Sequence, residues 1–74
     1  MIDYQELASE YFSEADKITR NIDRLVAILA ESQTIQRHLI VKKIKTLKRL
    51  RHECLLTAIF LEHRAEEIRQ RSVN

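Results

Sequence analysis

The sequence predicts an all-α fold, an antiparallel hairpin of two long helices that pairs with a second copy into a four-helix bundle. Three observations carry that expectation. The 74-residue chain contains no glycine and no proline, the residues that most often punctuate turns and break helices. Its apolar residues recur at alternating steps of four and three, in two runs that differ in phase by one residue. With 45% hydrophobic and 32% charged residues, the composition suits packed helices better than a disordered chain.

The first helix is expected over about 3–31. Tyr4, Ala8, Tyr11, Ala15, Ile18, Ile22, Leu25 and Leu29 form an uninterrupted heptad seam, which keeps one stripe on one side of a helix for shallow-angle packing. In the same register the following positions are Ser32, Gln36, Leu39, Lys43, Thr46, Leu50 and Glu53, mostly polar, so the seam ends near Ser32. A new seam runs through Ile40, Ile44, Leu47, Arg51, Cys54, Ala58, Leu61, Ala65 and Ile68 and sets the second helix at about 35–72. The turn then falls at about 32–34, with Ser32 or Thr34 as N-cap. One long bent helix with a heptad phase slip is the rival arrangement. The short polar break ESQT favours the hairpin. Residues 1–74 make a single domain, in which the second helix overhangs the first by roughly 15 Å at 1.5 Å per residue.

A chain this short builds little core alone. Its single cysteine, Cys54, excludes an intrachain disulfide and is expected in a reducing, cytoplasmic setting. No secretory-signal layout and no spanning apolar run are evident, and no membrane partner is expected. The remaining means of support are regular helix packing and a second copy of the chain. The segment ECLLTAIFL, from Glu53 to Leu61, is apolar nearly all round a helix. Cys54, Ala58 and Leu61 lie on the seam, whereas Leu56 and Phe60 point to the opposite side. Together with Leu55 and Ile59 they mark a self-association patch for a homodimer, the commonest oligomer. A foreign helical protein is the alternative cover.

Charge is segregated. Residues 1–34 hold seven acids and three bases, whereas residues 35–52 hold seven bases and no acid. Within the tract HLIVKKIKTLKRLRH, from His38 to His52, a stripe of His38, Lys42, Lys45, Arg49 and His52 recurs away from the seam. The plainest reading is a solvated helix face. A second is pairing with an acidic partner, including the acidic free end of another hairpin, which favours an antiparallel dimer. A third is a nucleic-acid backbone followed without sequence readout. The net charge of +2 and the lack of stacking aromatics place nucleic acid behind protein contacts. KKIKTLKRL is basic and amphipathic, but the first helix claims its apolar face, which ranks membrane-surface binding lower still.

Catalytic chemistry finds no support. A phosphate-cradling loop or nucleophile elbow needs glycine. Cys54 falls on the core seam as a structural thiol, and His63 with Glu66 or Glu67 has ligand spacing that only a dimer would complete. No metal or other cofactor is expected. The stretch NIDRLVAILAE, from Asn21 to Glu31, resembles the first helix of all-helical chorismate mutases over 11 residues. Those enzymes imply further spaced bases and acids on a later helical segment, where this chain is apolar after Glu53. Arg51 is the odd member of the second seam, expected to meet Asp16 or Glu14 across the hairpin and fix its register. The expected role is a small non-enzymatic protein–protein interaction module, an adaptor, regulator or chaperone-like protein, with nucleic-acid binding as the alternative.

Overall fold

The computed structural model describes residues 2–73, which form two helices, α1 (Tyr4–Leu29) and α2 (Thr34–Val73), packed against each other. Asp3 starts α1. Its backbone is extended and its carboxylate accepts the Glu6 N–H at 3.0 Å, satisfying one of the helix's orphan donors. The Glu6 carboxylate adds a negative charge near the helix's positive end.

α1 stops at Leu29, two residues short of the expected limit, because the chain is tied off there by four hydrogen bonds. The Glu31 N–H donates to the Ile28 carbonyl at 3.1 Å and the Ser32 N–H to the Leu29 carbonyl at 3.2 Å. Two side chains join them. Ser32 Oγ donates to the Ile28 carbonyl and Arg37 Nη1 reaches back to the Leu29 carbonyl, each at 2.7 Å. The carbonyls of Ile28 and Leu29 are thereby satisfied, with a cation at the helix's negative end.

This corrects the expected N-cap of the second helix. The Ser32 hydroxyl closes α1, and Thr34 already lies within α2. No described residue outside glycine has positive φ, and the chain has no glycine. The connector therefore turns without the left-handed residue that ends many helices.

The helices meet along the two expected seams. Among the described residues, Ala8, Ala15 and Ile22 of α1 and Ile44, Ala58 and Leu61 of α2 are buried. Most other seam members are half-buried, while Tyr11 and Ile68 remain exposed at the edge. Three of the six buried residues are alanine, whose small side chains let the two backbones approach closely.

The result is a rod of 61 × 16 × 14 Å. α2 outruns α1, with 40 residues against 26, a difference of about 21 Å. The overhang is divided between both ends. Arg51 reaches Thr19 across the hairpin. Counting from that pair, Leu29 lies level with Val41 and Tyr4 with Glu66. The first two turns of α2 therefore rise beyond the end of α1, and residues 34–39 are all exposed.

Candidate interaction surface

The apolar segment of α2 gives a patch of graded exposure. Leu55 is half-buried, Ile59 is 46% exposed, Leu56 54% and Phe60 66%. At 3.6 residues per turn these four span an arc of about 140° round the helix. The arc starts beside α1 and ends on the side opposite it. Ile59 lines a shallow depression with Gln5 of α1. Phe12, one heptad from Gln5 on the same side of α1, is half-buried and level with Ala58 in the Thr19–Arg51 register. The patch thus continues from α1 on to the outer face of α2. Two bulky exposed side chains at i and i+4 adjoin on a helix surface.

His38, Lys42, Lys45, Arg49 and His52 are all exposed. Among the described residues the ion pairs are Lys17 with Glu14, Arg64 with Glu67 and Arg69 with Glu66, each within one helix. The basic stripe takes part in none of them. It stands on the outer side of α2 as a row of cations and imidazoles, followed along the helix by Leu56 and Phe60.

Arg51 is half-buried on the seam, and its partner differs from the expected acid. Its Nη1 donates to Thr19 Oγ1 at 3.4 Å, and that hydroxyl in turn donates to the Ala15 carbonyl at 3.0 Å. Neither Asp16 nor Glu14 pairs with it among the described residues. Cys54 is a free thiol, half-buried on the seam. His63 shares the depression of Gln5 and Ile59 with Glu62 and Glu66. No group of three or more His, Cys, Asp or Glu among the described residues is placed to hold a metal ion. No described helix is long and apolar enough to cross a membrane.

Two features escaped the sequence reading. Arg37 is one base among seven in its tract, and no spacing signals that it ties off α1. The projecting start of α2 carries a second apolar surface, with Ile35 79% and Leu39 63% exposed beside Val41. Leu39 had a signal, since it belongs to the failed continuation of the first seam.

Compared with protein-family models, curated proteins and solved structures, the chain matches none of them.

Proposed function

We propose that the chain is a small non-enzymatic interaction module, an adaptor or regulator that acts as a self-associating helical hairpin. The observation that carries this is the graded patch of Leu55, Leu56, Ile59 and Phe60 at mid-helix in α2. A patch rimmed by charge is the usual mark of a protein contact surface. Because the arc reaches from the flank of α1 to the outer face of α2, a second hairpin seated there brings four helices into one dimeric bundle. The free thiol on the seam suits a reducing compartment such as the cytoplasm.

The test is the solution mass of wild type and of Leu56→Lys/Phe60→Lys by light scattering over a range of concentrations. Wild type is expected as a dimer and the variant as a folded or unfolded monomer. A wild-type monomer at every concentration overturns self-association. A variant that dimerises as well as wild type removes the patch from the interface.

A second reading places a nucleic-acid backbone along the basic stripe, favoured by the exposure of all five side chains and their freedom from ion pairs among the described residues. Counterion release then makes affinity fall steeply with salt. Binding to duplex or single-stranded RNA that is absent, or insensitive to salt, excludes it.

A further inference from the structure

The outer stripe of α2 does not stop at His52. The same steps of four and three carry it on through Leu56, Ile59, His63, Glu66 and Gln70, and every one of these side chains is exposed. α2 therefore bears a second heptad seam, turned away from α1. Its centre is apolar, one arm is basic and the other carries Glu66, with Glu67 beside it. The pattern is complementary to itself when reversed. About a point midway between Thr57 and Ala58, Leu56 mirrors Ile59, Leu55 mirrors Phe60, Arg49 mirrors Glu66 and Lys48 mirrors Glu67.

We infer that α2 pairs antiparallel with the α2 of a second copy, about a two-fold axis between Thr57 and Ala58. Lys48 and Arg49 of each chain then lie against the partner's Glu66 and Glu67. This rests on the self-association proposed above and gives it a direction and a register.

Charge decides the direction. A parallel pair lays Lys42, Lys45, Lys48 and Arg49 on their own copies, with no acid within residues 35–52 to offset them, and like charges across an interface oppose assembly. The antiparallel pair instead sets that arm against the segment holding Glu66 and Glu67. Glu66 lies on that seam and Glu67 flanks it, whereas Arg64 and Arg71 lie towards the far side of the helix and Arg69 towards α1. Glu66 and Glu67 already pair with Arg69 and Arg64 within α2. Both pairs are solvent-exposed, so giving them up costs little. Charges on and beside such a seam set partner orientation in helical pairs.

The apolar centre decides the register. Leu55, Leu56, Ile59 and Phe60 of one chain meet the same four of the other only with the axis near Thr57. A shift of one heptad along the pair, in either direction, leaves all four opposite charged or imidazole side chains.

The experiment uses full-length chains followed by light scattering, with circular dichroism to confirm helicity. Lys48→Glu/Arg49→Glu and Glu66→Lys/Glu67→Lys each set like charge against like in the inferred pair. Each is expected to weaken dimerisation about tenfold or more. The chain carrying all four substitutions restores opposite charges and is expected to dimerise like wild type. A spin label at Arg71→Cys in a Cys54→Ala background measures direction independently. The antiparallel pair places the two labelled backbones about 40 Å apart, and a parallel pair about 10 Å apart. Loss on half-exchange, recovery on full exchange and the long distance support the inference. A wild-type dimer without recovery, or with the short distance, overturns this direction and register and leaves self-association standing. A wild-type monomer at all concentrations overturns both.

Discussion

Arg51→Leu tests whether the one charged residue on the inner seam stabilises the hairpin. The guanidinium is half-buried, and its cross-helix bond to Thr19 is 3.4 Å long with a neutral acceptor. A bond at that length sits at the weak end of the range, so its loss costs at most about 0.5–1 kcal/mol. Thr19 is not orphaned by the change, because its hydroxyl keeps the Ala15 carbonyl. Against this, a leucine fully buried is worth about 1.5–3 kcal/mol. Half-burial, and the cover that the arginine stem already gives, reduce that to about 1–1.5 kcal/mol. The net is a gain of about 0.5 kcal/mol, or about 2–4 °C in Tm for a chain of this size. The assay is thermal unfolding by far-UV circular dichroism at one fixed protein concentration, since association shifts Tm by mass action. Light scattering checks that the oligomeric state is unchanged. A fall of more than about 4 °C would refute the reasoning and show that Arg51 holds the register through a stabilising contact stronger than the Thr19 bond.

Other perturbations read the remaining parts of the fold. Ala58→Leu adds bulk where the helices approach closely, and is expected to cost about 1–3 kcal/mol in urea denaturation; an unchanged midpoint would mean the helices separate freely. Arg37→Ala removes the bond to the Leu29 carbonyl and is expected to cost about 1 kcal/mol; a denaturation midpoint equal to wild type would show that water replaces the guanidinium fully. Asp3→Ala removes the N-cap, worth about 1 kcal/mol locally. Its effect is expected in faster amide exchange at Glu6, with little change in Tm.

Much of the fold was legible because helical periodicity is a property of the chain itself. Both seams, the all-helical class and the position of the break near Ser32 could be read from spacing alone. The register could not, and the partner of Arg51 shows why. A turn centred on residue 33 folds Arg51 back to about residue 15, next to Asp16 and Glu14. In the structure α2 rises past the end of α1 before the two come level, which displaces the register by about one helical turn and delivers Arg51 to Thr19. That displacement depends on how the connector is tied, through Ser32 and Arg37. A serine hydroxyl both donates and accepts, so sequence alone does not reveal which helix it serves. The outer patch was legible in part. Leu56 and Phe60 stand out as bulky residues opposite a seam, whereas the grading of exposure through Leu55 and Ile59 depends on how closely α1 lies beside them.

With alanine supplying half of the buried side chains among the described residues, no single large residue among them serves as a keystone. Cohesion is distributed in rungs along the rod, each rung a heptad of α1 against a heptad of α2. Such an object behaves as a ruler. Removing one heptad from each helix, on the same side of the Arg51–Thr19 layer, shortens the rod by about 10 Å while every surviving rung keeps its neighbour. Removing a heptad from one helix alone mismatches all the rungs beyond the cut.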